Sequence, residues 1–294
     1  MELNKIYFGD SLELLDNIED NSIDLVITSP PYADTIFYGD NVDNKTLMEY
    51  PEWFAEIGKK IKRILKPTGS FILNINDRVE KKERSLYALK TVIALKEISG
   101  LKFHDTYIWA KQSGLPTGNK KRLNDKFEYI FHFVKDTNLN KCNMDIVREP
   151  YAKNTLGRIY RPDGTIKDVG INDKVSSDGK VKNKSKKLDL NPLGKIPTNV
   201  FTFQTAGVLR GKDYVGSEHP AVFNPDLPKW FINWLTDKND VILDPFIGSG
   251  TVAEVCIEMD RNYIGMELNV NYENLIQKRI EGALLKKTQT KIDI

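Results

Sequence analysis

Residues 241–267 carry the pattern that most constrains the fold, VILDPFIGSGTVAEVCIEMDRNYIGME. An apolar run over 241–243 predicts a buried strand, and the residues after Thr251 predict a helix over 252–259. A second apolar run predicts another strand over 262–266. Two strands that are joined through a helix lie parallel in one sheet, because a parallel pair needs a long crossover. The pattern therefore predicts an α/β fold.

A glycine-rich turn connects the first of these strands to the helix. Gly248 and Gly250 allow the backbone to approach a ligand closely, and no Lys follows Gly250, so this is not a phosphate loop of the Walker type. Glu267 ends the second strand, where a carboxylate suits bidentate hydrogen bonding to ribose hydroxyls. Nicotinamide-binding domains share this arrangement, so the unit by itself leaves a nicotinamide oxidoreductase open.

A second informative stretch, IDLVITSPPY, occupies residues 23–32. Its apolar residues predict a short buried strand, and the two prolines make the following loop stiff. Ser29 supplies a hydroxyl, Pro30 a free carbonyl and Tyr32 an aromatic face. Two acceptors beside a stacking ring suit a planar base with an exocyclic amino group, although a rigid loop without a function has the same sequence features.

Together the two stretches resemble the S-adenosylmethionine-dependent DNA methyltransferases that methylate exocyclic amino groups. Residues 28–32, TSPPY, are similar to the catalytic motif of that family, and residues 244–251, DPFIGSGT, are similar to its cofactor motif. The catalytic motif comes first in the chain, which resembles the circularly permuted beta group. The resemblance covers nearly the whole chain outside residues 136–200. It implies a Rossmann-like, doubly wound, mostly parallel sheet, circularly permuted, with an inserted target-recognition region.

The resemblance also implies three regions and a set of cofactor-binding residues. The catalytic half covers residues 1–135, a basic target-recognition insert 136–200, and the cofactor-binding half 201–294. The residues that carry over to an S-adenosyl-L-methionine site are Asp10, Ser11, Thr28, His219, Pro220, Ala221, Asp244, Pro245, Phe246, Gly248, Ser249, Gly250, Thr251, Glu267 and Leu268. Asp10 corresponds to the residue that meets the adenine amino group, while a carboxylate favoured by the helix macrodipole is the alternative explanation.

The catalytic residues implied by the resemblance are Ser29, Pro30, Pro31 and Tyr32. Ser29 Oγ and the Pro30 carbonyl would accept hydrogen bonds from the target amino group, and Tyr32 would stack on a base flipped out of the duplex. Ser at the first motif position implies the N4 of cytosine as the target, with the N6 of adenine as the alternative. Methylation at carbon 5 of cytosine fits poorly, because neither Cys142 nor Cys256 has the sequence setting of its nucleophile.

Basic residues indicate where double-stranded DNA would bind. Residues 153–195 contain 11 Lys and Arg against 5 Asp, and residues 111–126 contain five basic residues. Both stretches lack a regular apolar pattern, so a solvated loop or a disordered linker is the alternative. The candidates for phosphate contacts are Lys120, Lys121, Arg122, Arg158, Arg161, Lys182 and Lys184. A catalytically silent DNA-binding relative would keep this charge but should lose the two motifs.

Bulk properties set the remaining expectations. The net charge is +2, the two cysteines form no C-x-x-C pair, and the three histidines show no metal spacing. The sequence begins without the pattern of a signal peptide, and no apolar run approaches the roughly 18 residues of a membrane span. We therefore expect a cytoplasmic protein, from a bacterium or a phage, without disulfides or metal. A cognate restriction endonuclease is a possible partner, and a monomer and a homodimer both remain open.

Periodicity predicts the other elements. Strands are expected at 5–8, 70–75, 106–110 and 128–134. Helices are expected at 12–18 with Ser11 as its cap, from Tyr50 to Leu65, around 86–98, at 227–235 and at 271–285. Pro67 and Gly69 are expected to stop the second of these helices.

Overall fold

The computed structural model describes residues 1–31, 45–112, 121–152, 191–203 and 223–292. Within those residues the strands are β1 (Lys5–Phe8), β2 (Ile23–Thr28), β3 (Leu65–Ile75), β4 (Val79–Glu80), β5 (Glu83–Arg84), β6 (Lys102–Ala110), β7 (Phe127–Val134), β8 (Val200–Phe201), β9 (Val241–Asp244) and β10 (Asn262–Glu267). The α-helices are α1 (Ser11–Leu14), α2 (Tyr50–Ile64), α3 (Tyr87–Ala94), α4 (Asp226–Leu235), α5 (Thr251–Glu258) and α6 (Glu273–Ile292). None of these helices is long and apolar enough to cross a membrane.

Eight of these strands form one sheet in the order β1-β10-β9-β2-β3-β7-β6-β8. Neighbouring strands of this sheet pair in parallel, apart from β7, which runs antiparallel to β3 and β6. The predicted α/β fold with a doubly wound, mostly parallel sheet is therefore confirmed. β9 leads to β10 on one side, whereas β2 leads to β3 on the other, so the strand order reverses between β2 and β9. Ligands bind at the carboxyl ends of strands at such a reversal.

The strand that follows α2 begins earlier than the sequence predicts. α2 ends at Ile64, and β3 continues directly from Leu65. β2 pairs with β3 at Ile23↔Leu65 and resumes at Leu25↔Ser70, so residues 66–69 of β3 form an irregularity in the ladder. Pro67 lies in this irregular stretch, where a proline is tolerated because no ladder hydrogen bond depends on its nitrogen. α2 thus ends before Pro67 and Gly69, as the sequence predicted, and these two residues lie within β3.

The first helix has a different cap from the predicted one. Asp10 has extended backbone angles, and its Oδ1 accepts a hydrogen bond of 2.7 Å from the Leu12 N–H, so Asp10 is the N-cap. Ser11 is instead the first helical residue, and its hydroxyl donates to the Pro245 carbonyl. The prediction that Ser11 caps this helix is wrong, because its side chain bonds to a segment distant in sequence.

Two described stretches at the ends of the predicted insert contact each other. Residues 144–198 form a compact unit of their own, separate from the unit that contains the sheet. Within this smaller unit Glu149 and Lys195 form a backbone bridge and an ion pair of 2.5 Å. Arg148 donates to the Gly194 carbonyl at 2.9 Å. The remaining residues of the insert, 153–190, lie outside the described part of the chain, so the role of the insert stays a prediction.

α3 packs on α2 through small residues. The apolar residues that marked this helix in the sequence, Leu86, Leu89, Ile93 and Ile98, are each more than a third exposed. The opposite face contains Tyr87, Ala88 and Thr91 and is buried, and so are Leu95 and Ser99 of the π-helical turn Leu95–Ser99 that continues α3. An added Cβ at Gly58 of α2 would lie 2.4 Å from Leu95 Cδ2 and 3.0 Å from Ser99 Cβ. The absence of a side chain at Gly58 therefore allows the two helices to approach closely.

Two Gly→Ala substitutions in helices test this packing. Gly58→Ala and Gly282→Ala gain the same helix propensity, about 1 kcal/mol, but a Cβ at Gly282 meets nothing within 4 Å. We expect Gly282→Ala to raise the free energy of unfolding by about 0.5–1 kcal/mol. Gly58→Ala should be less stable than Gly282→Ala by about 1–3 kcal/mol, because it overpacks the α2–α3 contact. Equal stabilities in urea denaturation would contradict close packing at Gly58.

Candidate active site

The carboxyl ends of β2 and β9 are joined by a side-chain hydrogen bond. Backbone pairing between these strands is confined to Leu25↔Ile242 and Val26↔Leu243. Beyond it the Thr28 hydroxyl donates to Asp244 Oδ1 at 2.6 Å. Thr28 and Asp244 are both buried, 0% and 2% exposed. The two sequence motifs therefore meet at the point where the strand order reverses.

Asp244 is a buried carboxyl group whose pKa is far above its usual value. Burial, with a smaller contribution from the charge of Glu267, raises the pKa of Asp244 to about 7. The hydroxyl of Thr28 and the N–H of Phe246, which donates at 3.0 Å, act in the opposite direction. A cationic or hydrogen-bond-donating ligand would favour the ionised form, because it would replace the solvation lost on burial.

Glu267 fixes the glycine turn to β10. Its Oε2 accepts from Gly248 N and its Oε1 accepts from Asn269 N, each at 2.9 Å. The carbonyl of Glu267 accepts from Gly9 N at 2.9 Å, which also fixes the end of β1. Burial raises the pKa of Glu267. A carboxylate has about four acceptor positions, so the group can still accept a hydrogen bond from a ligand beside those from the backbone.

The turn between β9 and α5 requires glycine at two positions. Gly248 and Gly250 have φ of 53° and 84°, which disfavour residues with a Cβ. The Ile247 N–H donates to the Met266 carbonyl at 2.9 Å and joins the turn to β10. The turn therefore lies between the carboxyl ends of β9 and β10, with a backbone that a ligand can approach.

Ser249 and Thr251 are buried within this turn, 3% and 1% exposed. Arg279 of α6 donates to Thr251 Oγ1 at 2.8 Å and forms an ion pair with Glu254 at 3.1 Å. Thr251 is thus engaged by a buried arginine that the sequence pattern did not reveal. The apolar stripe predicted for this helix did not indicate that Arg279 is buried. A charged residue next to Ile276 and Ile280 in the sequence is normally expected to face solvent.

The N-terminal candidates lie beside the same turn. Ser11 Oγ donates to the carbonyl of Pro245, so Asp10 and Ser11 adjoin the residues that follow Asp244. Asp10 is half-buried, and its Oδ1 is engaged in capping α1. Leu268 follows Glu267 and is 37% exposed. The pairing of β1 with β10 explains this proximity, since it brings the first residues of the chain to the last strands.

The catalytic candidates follow β2 directly. Ser29 and Pro31 are half-buried, and Pro30 is buried. The hydroxyl of Tyr50, from the first turn of α2, donates to the Pro31 carbonyl at 3.0 Å. Tyr50 is itself only 2% exposed. A buried phenol therefore fixes the end of the segment that carries Ser29 and Pro30.

The same turn of α2 also contacts the glycine turn. Tyr50 stacks on Phe54 with ring centroids 5.7 Å apart, and Phe54 stacks on Phe246 at 6.1 Å. Trp53 approaches Phe246 at 6.0 Å. Helical periodicity predicts only a core role for these α2 aromatics. Only one feature of the sequence indicated that these aromatics also support the site: they are concentrated in the first turn of the helix that follows the catalytic segment.

Several predicted site residues lie outside the described part of the chain. They are Tyr32, His219, Pro220, Ala221, Lys120, Arg158, Arg161, Lys182 and Lys184. Lys121 and Arg122 are described and exposed, and an Arg122 guanidinium N–H donates to the Lys82 carbonyl. Among the described residues, no group of three or more His, Cys, Asp or Glu could hold a metal ion.

Comparisons with known proteins give a consistent assignment. A family model described as DNA methylase matches residues 23–278. The type II methyltransferase M.BglII of Bacillus subtilis is 30% identical over 95% of this chain and 69% of its own length. The type II methyltransferase M.PvuII of Proteus hauseri is 31% identical over 91% of this chain and 80% of its own.

Solved structures share the fold. The PvuII DNA methyltransferase, described as cytosine-N4-specific, has a TM-score of 0.68 at 25% identity and covers 94% of this chain and 85% of that chain. The M1.HpyAVI–SAM complex has a TM-score of 0.57 at 19% identity and covers 94% and 98%. At that identity the second likeness concerns the fold alone.

Asp244→Asn tests the burial of the carboxyl group. The substitution retains the Oδ1 acceptor used by Thr28 and Phe246 and removes the charge. The pKa of Asp244 is about 7 in the folded protein, against a usual 3.8. Ionisation of this carboxyl group therefore lowers the free energy of unfolding as the pH rises from about 4 to about 7, and the whole loss is present above about pH 7. We expect a Tm above that of the wild type at about pH 8, by at least about 2–4 °C. At about pH 4 the difference should nearly vanish, and a pH-independent difference would contradict the raised pKa.

Proposed function

The chain belongs to the DNA methylase family, and from this premise we propose that it transfers a methyl group from S-adenosyl-L-methionine to the exocyclic N4 of cytosine in double-stranded DNA. The main observation in support is the Thr28–Asp244 hydrogen bond. It brings the segment around Ser29 and the glycine turn to one edge of the sheet. The type II relatives support a site-specific enzyme of a restriction–modification system.

The described residues fit S-adenosylmethionine, which supplies a methyl group on a sulfonium centre. Asp244 is a buried acceptor and Glu267 a half-buried one, and the pKa of each is raised, so they suit the cofactor's amino and hydroxyl donors. Gly248 and Gly250 give the turn the positive φ angles that it needs, and Gly250 also lets the turn pack closely on Ile276 of α6. Phe246 adds an aromatic surface beside them. Asp10 is assigned to the adenine amino group, with His219-Pro220-Ala221 at the methionine end.

Ser29 and Pro30 perform the central task in this reaction. An exocyclic amino nitrogen is a poor nucleophile, because its lone pair is delocalised into the ring. Hydrogen bonds donated by the amino group to Ser29 Oγ and to the Pro30 carbonyl orient the nitrogen and favour localisation of the lone pair. Ser29 is not a strong base, so the proton leaves to water. Tyr32 stacks on the flipped base.

Cytosine N4 is favoured over adenine N6 by Ser29 at the first position of the TSPPY motif. The structure described as cytosine-N4-specific supports this choice. Adenine N6 is the second candidate, because the same fold and the same pair of acceptors can hold its amino group. Methylation of mixed-sequence DNA, followed by digestion and mass spectrometry of the nucleosides, distinguishes the two products.

The remaining assignments concern DNA and other partners. We propose that the insert over residues 136–200 recognises the target sequence and that Arg158, Arg161, Lys182 and Lys184 contact phosphates, with Lys120, Lys121 and Arg122 contributing from the β6–β7 connection. A restriction endonuclease with the same recognition sequence is the expected companion of the enzyme.

Ser29→Ala tests the mechanism. The variant should fold and bind S-adenosylmethionine as the wild type does, since Ser29 acts on the amino group. Methyl transfer should fall by roughly 10–1000-fold, the scale of removing one preorganised polar group. Single-turnover rates and calorimetry measure the two quantities. Full activity would exclude the proposed role of Ser29, whereas N6-methyladenine as the sole product would overturn only the choice of base.

Tyr50→Phe tests the support of the catalytic segment. The variant removes the hydroxyl that donates to the Pro31 carbonyl and keeps the stacked ring. We expect kcat to fall by about tenfold or more, because small displacements of reacting groups cost up to about 100-fold. The KM for S-adenosylmethionine should change little.

Tyr107→Phe is the matched control for Tyr50→Phe. It removes another buried hydroxyl, which lies in β6 at 3.1 Å from His132 Nδ1 of β7. This variant should lower Tm and leave kcat unchanged at temperatures well below the transition. If both variants lowered kcat equally, a general loss of stability would explain the Tyr50 result.

A further inference from the structure

A small hairpin follows β3 and has lysines at both positions of its turn. β4 and β5 pair antiparallel at Val79↔Arg84 and Glu80↔Glu83, so Lys81 and Lys82 form a two-residue loop. Their φ values are 46° and 72°. Asn-Gly is the favoured sequence for two such residues, since positive φ disfavours most residues with a Cβ. The sequence of this turn is therefore not explained by turn stability.

Asp77 fixes the base of the hairpin. Its carboxylate accepts hydrogen bonds from the Ser85 hydroxyl and from Leu86 N, the latter at 2.9 Å. The Ser85 N–H donates to the Arg78 carbonyl at 3.0 Å. Both ends of the hairpin are thereby held beside the end of β3.

Residues 121–126, which precede β7, hold the hairpin from the other side. Arg84 forms an ion pair with Asp125, and Arg122 donates to the Lys82 carbonyl. Lys121 and Arg122 are exposed. These contacts bring the basic stretch noted in the sequence next to a hairpin that the sequence pattern did not predict.

The hairpin lies at the edge of the sheet that carries the proposed catalytic segment. β3 runs parallel to β2 in the register Thr28↔Leu73, so the residues after Ile75 lie at the same edge as Ser29. β7 is antiparallel to β3 and pairs Tyr129 with Ile75, so the residues before Phe127 lie at that edge too. DNA whose base reaches Ser29 must approach this edge.

Charge at the tip is available for binding. Lys81 and Lys82 are exposed and form no ion pair with any residue that the structure describes. Glu80 and Glu83 face each other across the hairpin, whereas Arg84 is already paired with Asp125. Lys81 and Lys82 thus add two cationic side chains next to the loop that contains Lys121 and Arg122.

We propose that Lys81 and Lys82 bind phosphates of the DNA backbone beside the flipped base, with Lys121 and Arg122 alongside. This inference rests on the proposed function and adds a contact outside the recognition insert. The hairpin orients the duplex without reading its sequence, because phosphate contacts carry no base information.

The test combines Lys81→Asn with Lys82→Gly. This variant removes both charges and installs the sequence that the turn geometry favours, so the hairpin stays formed and Tm does not fall. We expect the slope of log Kd for DNA against log salt to become shallower by about 0.9 for each phosphate that is no longer neutralised, hence by about 2. At saturating DNA, the preferred methylated sequence should stay the same.

A second double variant controls for overall charge. Lys102→Gln with Lys238→Gln removes two exposed charges at the amino ends of β6 and β9, the opposite edge of the sheet. Its salt slope should equal that of the wild type. An unchanged slope in the hairpin variant, or an equal reduction in both variants, overturns the proposal while the wild type still methylates DNA. A wild type that methylates no DNA overturns the proposed function itself and the hairpin proposal with it.

Discussion

The hydrogen bond between Thr28 and Asp244 is the contact on which the rest of the site depends. It joins β2 and β9 just beyond their last paired residues, where the strand order of the sheet reverses. Burying a carboxyl group is unfavourable unless its oxygens are hydrogen-bonded, and Thr28 and the Phe246 N–H provide those bonds. The glycine turn starts at Asp244 and the TSPPY segment starts at Thr28, so this one contact fixes where both segments begin.

Most residues of the site have a second, structural task. Glu267 holds Gly248 and Asn269 through its carboxylate and Gly9 through its carbonyl. Tyr50 fixes Pro31, while its helical neighbours pack on Phe246. Side chains that are held by several partners keep one orientation, which suits a reaction that depends on positioning. The same feature means that a substitution at Glu267 would disturb the turn as well as the ligand site.

The sequence predicted those parts of the structure that have local signals. β1, β2, β9, β10 and the parallel arrangement follow from apolar runs, turn residues and the order of the two motifs. The contacts of Tyr50 and Arg279 were missed, because a helical apolar stripe predicts burial without identifying the partner. The sequence located α3 but did not identify its buried face, because Ala88 and Thr91 look unremarkable in the sequence. This face packs closely on α2, where Gly58 has no side chain. The turn at Lys81 and Lys82 was missed because its residues contradict the usual turn chemistry.

The pairing of β1 with β10 has a consequence for synthesis. Lys5 can pair with its partner Ile264 only after all the residues between them have been translated. β2 likewise needs β9, so the edge of the sheet that holds the site cannot close before β9 has been translated. Contacts between residues so distant in sequence form slowly. A ribosome-bound chain thus exposes unpaired strands. A truncated product without β9 and β10 would lack Asp244, the glycine turn and Glu267, and Thr28 would lose its partner.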